Sequence, residues 1–60
     1  MSIAQTIYTS FSHSLMLAVN ECEKLGQKTV NKHLKTVEYM FLDGSYILIS
    51  AGFISAYESK

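Results

Sequence analysis

The first part of the chain distributes apolar and polar residues with the period of an amphipathic helix. At 100° per residue, the apolar side chains of residues 2–25 fall on one continuous arc, and polar side chains fall opposite. Ser2 suits the N-cap position, and Gly26 suits the C′ position, where glycine adopts a left-handed conformation freely. The pattern predicts one long helix over about residues 2–25. Its apolar arc, about 160° wide, indicates two neighbours rather than one.

From residue 36 onward the pattern is typical of strands. Asp43–Gly44 lies between two apolar runs, and this dipeptide favours a type I′ turn, which needs positive φ at both central residues. A two-residue turn here would pair Phe41 with Tyr46. It would also pair Tyr39 with Leu48. The sequence therefore predicts a β-hairpin with this register.

A second tight turn at Ala51–Gly52 would return the chain as a third strand. In that arrangement Ile49 pairs with Ile54, and Ile47 pairs with Ala56. The prediction is then a β-meander over about residues 36–57.

This register distributes apolar residues on both faces of the sheet. The face suited to the helix would be aliphatic and would carry Met40, Leu42, Ile47, Ile49, Ile54 and Ala56. The opposite face would be rich in aromatic residues and would carry Val37, Tyr39, Phe41, Tyr46, Leu48, Phe53 and Tyr57. Since one helix covers only one face, we expect the second face to meet another molecule.

The fold class that follows is α+β, with a long N-terminal helix packed on a small antiparallel β-hairpin or three-stranded sheet. A three-helix, all-α oligomer is the alternative. Val30, Leu34, Val37 and Phe41 have helical spacing, and residues 46–57 are long enough for a third helix.

The length of 60 residues makes a single domain over residues 1–60, and so small a chain rarely buries a sufficient core alone. Cys22 is the only cysteine, which excludes an intrachain disulfide. We therefore expect self-association as a homodimer or higher oligomer. The candidate interface residues share surplus apolar surface and are Met16, Leu17, Val37, Tyr39, Phe41, Tyr46, Leu48 and Phe53.

The net charge is zero, but positive charge is concentrated in a predicted basic connection over residues 26–35. Together with aromatic rings that stack on a base, these cations could hold an anionic, nucleotide-like ligand between subunits. The candidate ligand-binding residues are Lys24, Lys28, Lys32, His33, Lys35, Tyr39, Tyr46 and Tyr57. The chain has no arginine for bidentate recognition of bases, so sequence-specific DNA binding is not expected.

Catalytic and metal-binding patterns are weak. Ser12, His13 and Ser14 are consecutive, so on one helix they point in different directions. His13, Cys22 and His33 are scattered singly and lack metal-ligand spacing. We expect no enzymatic activity, no cofactor and no metal. The longest uncharged apolar run, residues 46–57, is shorter than the ~20 residues of a membrane span, so we expect a cytoplasmic protein with no membrane partner.

Two functions fit these features. The first is a small, non-catalytic, homo-oligomeric interaction protein that binds a larger partner protein and regulates or inhibits it. The second is an oligomer that binds or sequesters a nucleotide-like anion. The first depends only on the surplus apolar surface.

Overall fold

The computed structural model describes residues 1–59, which form two helices followed by a four-stranded antiparallel sheet. The elements in chain order are α1 (Ile3–Phe11), α2 (Leu15–Leu25), β1 (Gln27–Asn31), β2 (Thr36–Met40), β3 (Tyr46–Ser50) and β4 (Phe53–Tyr57). The strand order is β1-β2-β3-β4. The α+β class is confirmed, and the residues of the all-α alternative form strands and turns instead.

The structure has two helices where the sequence predicted one over residues 2–25. The chain turns at residues 12–14, and the Ser14 side chain caps α2 by accepting a hydrogen bond from the Leu17 N–H at 3.4 Å. Serine hydroxyls compete for backbone groups and favour helix ends over helix interiors. Helix α1 packs on α2, β4 and β3, whereas α2 packs on α1 and β1. The wide apolar arc is thus divided between two helices.

The predicted basic connection over residues 26–35 contains a strand. Residues 27–31 form β1, which pairs with β2, and residues 32–35 form the turn between them. The Asn31 side chain stabilises this turn by accepting a hydrogen bond from the Leu34 N–H at 3.0 Å. Strand β1 is exposed along its whole length and largely polar, so it lacks the apolar alternation that identifies a strand in sequence.

The β2–β3 hairpin has a register one residue away from the predicted one. Tyr39 pairs with Ile47 and not with Leu48. Phe41 and Ser45 bound a three-residue loop, in which the Phe41 N–H donates to the Ser45 carbonyl at 2.9 Å. Gly44 alone in this loop has positive φ, at 85°, so the loop is not a type I′ turn.

This shift exchanges the two faces of β2, because side chains alternate along a strand. Val37 and Tyr39 lie on the inner face, toward the helices, and Phe41 is buried beside them, whereas Met40 and Leu42 are exposed. The β3–β4 hairpin has the predicted register, with Ile49 opposite Ile54 and Ile47 opposite Ala56. The buried core consists of Ala4, Ile7, Ala18, Cys22, Tyr39, Phe41 and Ile47.

The β2–β3 loop also caps the first helix. The Asp43 carboxylate accepts a hydrogen bond from the Ile3 N–H at 2.8 Å, and the fully buried Ser45 hydroxyl accepts one from the Ala4 N–H at 3.1 Å. Ser2, as predicted for an N-cap, accepts one from the Gln5 N–H at 3.0 Å. Three N–H groups of the first turn, which have no partner within the helix, are thereby satisfied.

Gly26 ends α2 without the predicted left-handed conformation. Its φ is −121° and its ψ is 169°, which is extended backbone. A Cβ at this position would lie 2.8 Å from the Phe41 ring, so glycine is required by close packing. Among residues 1–59, no helix has the length and apolar character needed to cross a bilayer.

Candidate binding groove on the outer sheet face

The face of the sheet that points away from the helices carries a groove of about 450 Å³, which we call the outer-face groove. Its walls come from β1, β2, β3, β4 and the β1–β2 turn. The lining residues are Thr29, Asn31, Leu34, Thr36, Glu38, Tyr46, Leu48 and Tyr57. The groove combines apolar walls with hydroxyl, amide and carboxylate groups, as ligand-binding sites commonly do.

Glu38 supplies the charge of the groove. It lies in the middle of β2, between Thr29 on one neighbouring strand and Leu48 on the other. Its side chain is half-buried, and it forms no ion pair within residues 1–59. A carboxylate in such a place, partly removed from water, favours a cationic partner.

Two tyrosines form one wall of the groove. Tyr46 and Tyr57 are cross-strand neighbours, and their rings stack with centroids 4.9 Å apart and an interplanar angle of 15°. Leu34, exposed in the β1–β2 turn, contributes apolar surface as well. Aromatic faces of this kind attract cationic groups in addition to apolar ones.

The structure divides the predicted basic residues between the β1–β2 turn and the region near the end of α2. The Lys24 ammonium lies 3.8 Å from the half-buried Glu21 carboxylate, and the Lys28 ammonium lies 3.8 Å from the exposed Glu23 carboxylate. The other three predicted basic residues, Lys32, His33 and Lys35, lie in the β1–β2 turn and are exposed. None of the five lines the groove, whereas Glu38 does, so the lining of the groove carries negative charge.

Tyr39 is placed in the core and not at a ligand site. Its side chain is buried on the inner face, where its hydroxyl donates a hydrogen bond to Glu23. Burial, together with this hydrogen bond, raises the pKa of Tyr39 to about 12. Val37 and Phe41, also predicted at the interface, pack on the same inner side. The one-residue difference in register is the reason for all three placements.

The remaining candidate interface residues are exposed or line the groove. Met16 and Leu17 project from α2, with Met16 74% exposed, and Phe53 on β4 is 77% exposed. Tyr46 and Leu48 line the groove.

Cys22, the possible nucleophile, does not line the groove, and neither do His13 and His33. Cys22, a residue of α2, is buried in the core, and burial raises the pKa of its thiol to about 11. Residues 1–59 contain no cluster of three His, Cys, Asp or Glu side chains able to hold a metal ion.

Sequence reasoning missed Glu38 and four other groove residues, Thr29, Asn31, Leu34 and Thr36. The alternation Thr36, Glu38 in β2 is a signal for a polar outer face, but it can be assigned only once the register is known. Leu34 is the one leucine within the basic segment, and its isolation was a further signal.

The chain was compared with protein families, with curated proteins and with solved structures, and nothing matches it in any of the three.

Proposed function

We propose that this protein is a small, non-catalytic binding protein that recognises a segment of a larger protein in the outer-face groove and thereby regulates or inhibits it. The segment presents a lysine or arginine side chain flanked by apolar residues. The observation that carries this proposal is the half-buried Glu38, without an ion-pair partner within residues 1–59, in a groove walled by Tyr46, Tyr57 and Leu48.

Charge and shape support a cationic, partly apolar ligand over an anionic one. A phosphate in the groove would meet the Glu38 carboxylate at short range, and like charges in contact cost several kcal/mol. A cationic side chain would instead pair with Glu38 while its methylene groups contact Leu48. The stacked tyrosines provide a ring face for the same cation.

A binding role without catalysis accords with the location of the groups whose pKa is raised. Cys22 of α2 and Tyr39 of β2 are both buried in the core between the helices and the sheet, and neither lines the groove. The groove itself presents one carboxylate among hydroxyl, amide and apolar groups. Recognition requires no more than this.

The test is a selection of displayed random peptides on the immobilised protein, followed by affinity measurement. We expect enrichment of peptides with Arg or Lys beside apolar residues. The best peptide should lose about five- to tenfold in affinity when its cation is replaced by neutral citrulline, because a partly buried ion pair contributes about 1 kcal/mol. Glu38→Gln should cause a similar loss.

Glu58→Gln is the matched control, because it removes the same charge from an exposed residue outside the groove. Its affinity for the peptide should equal that of the wild type. Enrichment of acidic peptides, or equal binding by the wild type and Glu38→Gln, would refute the proposal.

A further inference from the structure

The two edges of the sheet differ in how well they are protected against pairing. Strand β1 carries Lys28 and is polar, both of which discourage the addition of another strand. Strand β4 has the sequence FISAY, with no charge and no proline. It is an edge strand by the order of the sheet, and no bulge interrupts its pairing with β3. Strand β4 is therefore the edge open to another strand.

The β3–β4 turn determines which backbone groups of β4 point outward. Ala51 and Gly52 have φ values of 50° and 80°, as in a type I′ turn. The residues that flank such a turn, Ser50 and Phe53, exchange both backbone hydrogen bonds, and hydrogen-bonded pairs then alternate along the ladder. The N–H and C=O groups of Ile54 and Ala56 consequently face the open edge.

These open groups are symmetric about Ser55. We infer that a second copy of this chain pairs with β4 along its open edge, antiparallel, about a two-fold axis that passes between the Ser55 residues of the two copies. Ile54 of each copy then lies opposite Ala56 of the other, and four backbone hydrogen bonds form. Two four-stranded sheets become one continuous sheet of eight strands. This inference concerns self-association and goes beyond the binding function proposed for the groove.

The side chains of β4 match in the same register. On the outer face, Phe53, which is 77% exposed, comes to lie opposite Tyr57 of the other copy, which is 42% exposed. Since Tyr57 already stacks on Tyr46, each half of the dimer gains a row of three aromatic rings. On the inner face, Ile54 meets Ala56.

The charged residues next to β4 do not repel each other in this dimer. The nearest acid, Glu58, follows β4 and comes opposite Gly52 of the other copy, so the two Glu58 carboxylates lie apart at the two ends of the strand pair. The two-fold axis runs perpendicular to the sheet, so both outer faces, and with them the two outer-face grooves, lie on the same side of the joined sheet. A dimer of this form presents two binding grooves to one partner.

Sedimentation velocity from about 1 µM to about 1 mM, with amide hydrogen exchange at both ends of this range, tests the inference. We expect a monomer–dimer equilibrium. The amides of Ile54 and Ala56 should exchange slowly at high concentration and rapidly after dilution, whereas the amide of Ser55, bonded to β3, stays protected throughout. A monomer at all concentrations, or assemblies that grow beyond a dimer, would overturn it.

Ser55→Lys places two like charges opposite each other at the axis and should weaken dimerisation about fivefold. Ser50→Lys is the matched control, because it introduces the same charge on the same face, one strand away from the edge. Its dimerisation should stay within about twofold of the wild type. Equal dimerisation of the two variants would contradict the two-fold axis.

Ala56→Pro provides a second route that avoids added charge. Proline removes the outward N–H and is tolerated on an edge strand where that group faces solvent. The variant should keep the circular dichroism spectrum of the wild type and should sediment as a monomer. A persistent dimer would show that β4 is not the interface. Glu38→Gln should leave dimerisation unchanged, so failure of the groove proposal and failure of this one are distinguishable.

Discussion

Replacement of Ser45 by alanine tests whether the β2–β3 loop holds the start of α1. Ser45 has no exposed surface, and its hydroxyl bridges two elements, accepting from the Ala4 N–H at 3.1 Å and donating to Asp43. Alanine is nearly isosteric, so the change removes these hydrogen bonds while leaving little cavity. The effect on the free energy of unfolding can therefore be assigned to the hydrogen bonds.

The size of the expected loss of stability follows from the N–H group of Ala4, which loses its hydrogen-bond acceptor. Ala4 is fully buried, so its N–H becomes an unsatisfied donor, which costs about 1–3 kcal/mol. Loss of a serine cap by itself costs about 0.5–2 kcal/mol. We expect Ser45→Ala to lower the free energy of unfolding by about 2 kcal/mol. In a chain of this size that corresponds to a fall in Tm of roughly 8–16 °C.

Urea denaturation at one fixed protein concentration is the assay, since self-association makes stability depend on concentration. Ser50→Ala is the control, because it removes a hydroxyl from a half-buried position on the outer face of the same sheet. It should change the free energy of unfolding by less than about 0.5 kcal/mol. If Ser45→Ala were no more destabilising than Ser50→Ala, the loop would not support the helix as we describe.

Three further changes test the core and the loop. Tyr39→Phe should cost about 1–2 kcal/mol at neutral pH, because Glu23 loses a buried donor. The raised pKa of Tyr39, about 12, favours the neutral phenol in the folded state. Its contribution to the free energy of unfolding is therefore complete below pH 10 and is lost toward pH 12. Urea denaturation at alkaline pH should show this fall in stability in the wild type and a smaller fall in the variant. Hydrogen bonds from Ser45 and Ile3 hold the pKa of Asp43 below its usual value. Its contribution to stability is therefore present above about pH 4 and is lost in more acidic solution. Asp43→Asn should reduce this acid dependence of the melting temperature in thermal melts. Gly26→Ala should cost about 1–3 kcal/mol because its Cβ would lie 2.8 Å from the Phe41 ring, and a melt unchanged from the wild type would contradict that packing.

The sequence predicted the class of the fold and the second hairpin because those depend on local patterns. The change from helical to two-residue period is visible without tertiary information, and Ala51–Gly52 is followed by a strand whose apolar positions match those before it. The break between α1 and α2 was not predicted, because the apolar residues before and after residues 12–14 fall on the same arc, which is the pattern of an uninterrupted helix. The Ser14 cap and the contacts of the two helices with each other and with one sheet favour the bend there.

The register of the first hairpin could not be read from its own residues. Asp43–Gly44 is compatible with a two-residue turn and with a three-residue loop that ends in a left-handed glycine. The three-residue loop aims the Asp43 carboxylate and the Ser45 hydroxyl at N–H groups of Ile3 and Ala4, about 40 residues earlier. The groove follows from this long-range choice, since a shift of one residue would turn Glu38 toward the helices.

The capping of α1 by a distant loop has a consequence for the order of folding. A nine-residue helix is too short to persist alone in water, and here its first turn depends on groups that leave the ribosome much later. The β2–β3 hairpin, closed by local contacts, is able to form early, and α1 becomes stable only when that hairpin reaches it. In a folding experiment, the amides of Ile3 and Ala4 should gain protection in the same kinetic phase as the docking of the sheet, although they belong to the segment synthesised first.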